Sequence, residues 1–163
     1  MAADRPERRP VNAPLLAAFT AAGWAAVVVA AFGILSLLLD LDVIPQSDAG
    51  PLLGPAMVVG AAVVLALLVI RIIRTEQPAG LSFVGATAAV YLALLVLGAI
   101  GYTLLRAQVI WLLVFPLTYA VSPFIVAAAL LAGIAALVGR SMGARQAKGR
   151  PRPRWPWEDP SDE

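Results

Sequence analysis

The sequence predicts an all-α integral membrane protein, a four-helix bundle with both termini cytoplasmic. Three observations carry that prediction. Of 163 residues, 61% are apolar before glycine is counted, against roughly 45–50% for a soluble domain with glycine included. Charged residues make up 13%, about half the usual share. The apolar residues also gather into four long uncharged segments. A soluble domain of this size has too much surface to hide so much apolar material. A soluble enzyme, a disordered chain and a nucleic-acid-binding domain are excluded on the same grounds.

A spanning helix needs about 20 predominantly apolar residues to cross about 30 Å of hydrocarbon. The first segment, residues 15–39, runs 25 residues without a charge. Asn12 and Pro14 suit a helix start at its beginning. A signal peptide has a shorter apolar core followed by a small-residue cleavage site. This run ends in Leu37, Leu38, Leu39 and Asp40, which favours a retained anchor. The second segment, residues 56–73, is the shortest, and Arg71 and Arg74 are expected to snorkel at its end. The third, residues 82–105, is uncharged, with Ser82 as the expected N-cap after Pro78 and Gly80.

The fourth segment stays uncharged from residue 109 to residue 139. As one helix it would measure roughly 46 Å, too long for a simple span. Pro116 and Pro123 interrupt it. The reading adopted places the span at residues 117–138, with Pro116 near its first turn and a kink at Pro123. Residues 109–115 then lie at the interface, where Trp111 is at home, although residues 109–116 could equally belong to the fourth helix. One long tilted helix from about Gln108 is the alternative, with the same topology. Three regions follow: a cytoplasmic N-terminal segment at residues 1–14, a transmembrane domain at 15–139 and a disordered cytoplasmic tail at 140–163.

Orientation comes from the basic residues, which accumulate in cytoplasmic loops. Three arginines precede the first span, Arg71 and Arg74 close the second, and six cations follow the fourth. Four alternating spans thus place eleven of the twelve cations on one side, with Arg106 alone opposite.

Candidate chemistry is sparse. Asp40, Asp42 and Asp48 share the first outer loop. Three carboxylates suit a hard cation, but their spacing matches no calcium loop and no glutamate completes it. A solvated turn is the plainer reading, and no metal-binding residue is assigned. The basic tail suits weak contact with anionic lipids, roughly 1 kcal/mol per cation near an anionic leaflet. The densest intramembrane polar stretch is Thr118, Tyr119 and Ser122 before Pro123. Pro123 removes the donor for the Tyr119 carbonyl, leaving it to a hydroxyl or a water. Small residues recur four apart as Ala22, Ala26 and Ala30, as Ala56 and Gly60, as Gly85, Ala89 and Ala93, and as Ala128, Ala132 and Ala136. Such stripes let helix backbones approach closely.

The absences narrow the function further. With no cysteine and no histidine, thiolate chemistry and imidazole acid–base or metal chemistry are excluded. No Asp, Glu, Lys, Arg or His lies in the middle of any span, where such residues mark ion pathways and proton relays. No catalytic or cofactor-binding residue is assigned and no cofactor is implied. The expectation is a non-enzymatic accessory or interaction subunit with an unknown membrane partner. A small transporter or channel subunit acting as an oligomer is the alternative, with residues 116–123 at its path.

The stretches FGILSLLLDLDVI (residues 32–44) and DAGPLLGPAM (residues 48–57), with the alanine-rich spans, resemble the small uncharacterised four-span membrane proteins of high-GC Gram-positive bacteria. The resemblance covers about a fifth of the chain and implies a bacterial plasma membrane, without a catalytic or binding residue to carry over.

Overall fold

A computed structural model describes residues 12–41, 43 and 52–147. These form five α-helices: α1 (Ala13–Leu39), α2 (Leu53–Thr75), α3 (Ala79–Arg106), α4 (Trp111–Tyr119) and α5 (Pro123–Ala147). Four of them, α1, α2, α3 and α5, are long and apolar enough to cross a membrane. There is no strand among the described residues.

Local chemistry sets the helix ends. Asn12 accepts a hydrogen bond from the Leu15 N–H through Oδ1 at 3.3 Å, and Pro14 sits in the first turn of α1. Both were expected there, because a proline ring costs nothing where the N–H lacks an intrahelical partner. Ser82 differs from expectation. The third helix starts earlier, at Ala79. Ser82 is therefore inside the first turn, and its hydroxyl donates back to the Pro78 carbonyl at 3.0 Å. Pro78, extended at φ −60° and ψ 150°, takes the capping position, since its fixed φ suits the entry into a helix.

Three helices end on a non-glycine residue in the left-handed region: Asp40, Glu76 and Ala107, at φ 50°, 50° and 51°. Each reverses the chain direction at a helix end, a place usually given to glycine. The Asp40 N–H donates to the Ser36 carbonyl. The fifth helix runs on to Ala147, so the first eight residues of the expected disordered tail are helical. Residues 148–163 lie outside the described residues, as do residues 1–11.

The helices pack around one core. α3 is central, packing on α2, α4 and α5, while α1 packs on α2 and α5. Each helix presents a stripe at four-residue spacing: Leu53, Met57, Ala61, Leu65 and Val69 on α2, and Ala128, Ala132 and Ala136 on α5. This is the spacing of one face of a helix. The opposite faces carry exposed leucine, valine and isoleucine, such as Leu37, Leu67, Leu104 and Leu117. In water such a surface would aggregate. In hydrocarbon it is the ordinary outer wall.

The small-residue stripes divide unevenly between inside and outside. Ala128, Ala132 and Ala136 are buried at the centre. Ala22, Ala26, Ala30 and Gly85 instead face outward, and Gly60, Ala89 and Ala93 are only half-buried. Close approach is carried by other residues. Gly139 and Gly143 on α5 lie against Val69 and Ile73 of α2. Ala17 and Ala21 serve on α1, and Ala86 and Ala99 on α3.

Side-chain hydrogen bonds tie the helices together at specific points. The Trp24 indole N–H of α1 donates to the Ala128 carbonyl of α5 at 3.0 Å, deep in the core. At the end that carries the arginines, Arg140 Nε donates to the Gln77 carbonyl at 2.6 Å, pinning the α2–α3 connection to α5.

Candidate functional site

Among the described residues, the fourth apolar segment holds the large departure from regular structure within a hydrophobic run. It is a broken helix, where a kinked helix at residues 117–138 was expected. α4 ends at Tyr119 with Ala120 as its cap, still at helical dihedrals, Val121 and Ser122 are non-helical, and α5 begins at Pro123. Pro123 thus takes the first position of a new helix, its favoured place, where a kink would have left it inside an old one. Residues 111–115, expected at the interface, belong to α4.

The break satisfies its own backbone. The Ala120 N–H donates to the Pro116 carbonyl at 2.9 Å, and the Ser122 N–H donates to the Tyr119 carbonyl at 2.9 Å. The Val126 N–H returns to the Ser122 carbonyl at 3.1 Å. So the Tyr119 carbonyl, expected to need a hydroxyl or water, is met by the backbone. The hydroxyl goes one residue on. Tyr91 of α3 donates to the Ala120 carbonyl at 2.7 Å. Tyr91 follows the start of α3 by twelve residues in a helix of 28, about 18 Å at 1.5 Å per residue. The break therefore lies near mid-depth, where irregular backbone is tolerated only when buried in protein.

Beside the break is an apolar cavity of about 30 Å³, lined among others by Phe32, Met57, Leu94, Phe115, Tyr119 and Phe124. Phe32 and Phe124 meet edge to face at 5.5 Å between ring centroids. On the α3 side stands an aromatic column. Phe115 stacks on Tyr119 at 4.4 Å, leans on Tyr102 at 5.9 Å, and Tyr102 meets the Trp111 ring edge-on at 4.9 Å. The Arg106 guanidinium caps the column, 5.7 Å from the Tyr102 ring centroid. Gly98 makes the column possible. A Cβ there would overlap the Phe115 ring and come within 2.8 Å of Met57 Cε. Neither the cavity nor the column was foreseen. The only signal was that four of the chain's twelve aromatic residues fall in residues 102–119.

The remaining hydroxyls mostly bond back along their own helices. Thr118 donates to the Val114 carbonyl at 2.9 Å and Thr20 to the Leu16 carbonyl at 2.8 Å. Thr87 and Thr103 differ, with buried Oγ1 atoms that lack a hydrogen-bond partner. Thr87 lies directly against Gly133, the sole position on that turn of α5 without a side chain in its way. Its Oγ1 faces the glycine backbone, an arrangement suited to a weak Cα–H···O contact.

The charged candidates stay apart. Arg71, Arg74 and Glu76 are exposed, with no ion pair among the three. Of the acidic loop, Asp40 is a helix cap, while Asp42 and Asp48 lie outside the described residues. No group of three metal-ligating side chains occurs among the described residues.

Four apolar spanning helices with a lipid-compatible outer wall define a multi-pass α-helical membrane protein. More particularly, the chain belongs to DUF6121, a family of unknown function whose model matches residues 4–163. That agrees with the resemblance to an uncharacterised family. No curated protein and no solved structure matches the chain.

Proposed function

We propose that the protein is a non-enzymatic accessory or interaction subunit of a bacterial plasma membrane, a four-helix bundle with both termini cytoplasmic. The end that carries Arg71, Arg74, Arg140 and Arg145 faces the cytoplasm, as the bias of eleven cations to one requires. The residues that follow α5 rest weakly on anionic lipids of that leaflet, and neither nucleic acid nor a cofactor enters the reading.

One observation carries the choice over a transporter. In transporters, broken helices leave carbonyls and helix ends free to hold an ion or substrate near mid-depth. Here the Ala120 carbonyl at the break is already held by the Tyr91 hydroxyl. The adjoining cavity is apolar and has room for about one water-sized group. That favours a protein that works through its outer surface over one that passes a solute. Its peripheral helix suits this role. Only 11% of the most apolar stretch of α1 is buried, against 44% for α5.

Cross-linking in native membranes, followed by identification of what co-purifies, tests the proposal. A single partner recovered in stoichiometric amount supports it. Solute movement in vesicles reconstituted with this chain alone, altered by Ser122→Ala or Pro123→Ala, overturns it in favour of the transporter.

A further inference from the structure

We propose that α4 is a hinged flap that swings about Val121 and Ser122, and that the Tyr91–Ala120 hydrogen bond is a latch that adds to its aromatic packing on α3 in favouring the closed position. The inference does not depend on the accessory-subunit reading. Four observations support it. First, α4 with its caps Ile110 and Ala120 is joined to its neighbours by short breaks in the helical backbone, residues 107–109 and 121–122. A helix of nine residues with such ends turns as a rigid piece, because the φ and ψ changes are absorbed in a few linker residues.

Second, prolines bound the hinge. Pro123 supplies no N–H to couple α5 back to α4, and Pro116 leaves α4 short of an internal bond. Third, α4 packs extensively on α3 alone among the helices. Its other face points away, with Leu113, Leu117 and Val121 between 67% and 84% exposed. Fourth, the cavity of about 30 Å³ lies against Phe115, Tyr119 and Phe124. That space leaves the packing where the two half-helices meet incomplete, so fewer contacts oppose a small displacement there.

The latch crosses from the rigid part to the end of the flap beside the hinge. Tyr91 sits on the central helix α3, and the acceptor is the first residue after α4. In hydrocarbon a hydroxyl–carbonyl bond between helices is worth about 0.6 kcal/mol on average. Such a bond can bias a hinge without locking it.

The test uses the full chain in lipid nanodiscs, with spin labels at Leu113→Cys on α4 and Leu67→Cys on α2. Both sites face outward, and the chain has no native cysteine to remove. One narrow distance population is expected in the parent. Tyr91→Phe is expected to add a second, longer population. Thr118→Val removes a hydroxyl bond inside α4 and is expected to leave the distribution unchanged. An unchanged distribution in Tyr91→Phe, or equal broadening in Thr118→Val, overturns the latch. Amide exchange of the unsubstituted chain provides a measurement that needs no variant. Amides of residues 114–119 should exchange at least about tenfold faster than those of 128–136. Equal protection of the two segments overturns the flap.

Discussion

Gly98→Ala isolates one term of the packing. At Gly98 an added methyl overlaps the Phe115 ring and approaches Met57 Cε to 2.8 Å. Phe115 is buried among Tyr102, Tyr119 and the cavity lining, so its ring has limited room to give. Overpacking of this kind costs about 1–3 kcal/mol. Alanine also has an intrinsic helical advantage over glycine of about 1 kcal/mol, which would blur a single measurement. Gly85 removes that ambiguity. It lies in the same helix, and a Cβ there meets nothing within 4 Å. Gly85→Ala should therefore stabilise by about 0.5–1 kcal/mol, with no opposing term. The difference between the two substitutions is the overpacking alone, about 1–3 kcal/mol. Steric trapping in bicelles measures both on one scale. Phe115→Leu, which removes the obstructing ring edge, should shrink the difference by more than half. If Gly98→Ala and Gly85→Ala shift stability alike within about 0.5 kcal/mol, the error expected of independent sites, the aromatic column does not pack as described.

Other consequences can be checked with single changes. Trp24→Phe deletes the indole donor to the Ala128 carbonyl and should destabilise by about 1–2 kcal/mol, from the bond and the lost ring area, read by the same trapping assay. Ala107→Gly relieves a left-handed residue at φ 51° and should stabilise by about 1 kcal/mol; a loss of stability would mean the turn is held differently. Alkaline phosphatase fused after Glu163 should be inactive, and the same enzyme fused after Ile110, in the α3–α4 connection, should be active. An active fusion after Glu163 would reverse the proposed orientation.

The first three spans were legible in the sequence to within three residues, because a long uncharged run has few other uses, whereas the fourth, expected at residues 117–138, is Pro123–Ala147. Asn12 and Pro14 also revealed their helix start, since capping is settled by neighbours along the chain. The inward faces were not legible. On α1 the core-facing Ala17, Ala21 and Trp24 alternate with outward-facing Ala22, Ala26 and Val27. Both sets are apolar, because lipid and protein interior make the same demand on a side chain. The amphipathic signal that orients a helix in water is therefore missing. That is why the stripe Ala22, Ala26 and Ala30 read as a packing face and is an outer one.

The candidate site divides the same way. Pro116 and Pro123 announced an interruption, since each removes a backbone donor wherever it sits. Whether the result was a kink or a break depended on what could satisfy the freed carbonyls. Ser122 supplied one partner locally. Tyr91, 29 residues away in sequence, supplied the other, and only the packing of α3 against the break brings it there. The sequence by itself determined that this chain lives in a membrane, crosses it with four apolar segments and keeps its charges at the ends. Those are matters of solvation, settled residue by residue. Tertiary structure decided which face of each helix turns inward, where Gly98 admits an aromatic ring and how the fourth span breaks. Those depend on shape and on partners distant in the chain, which composition does not encode.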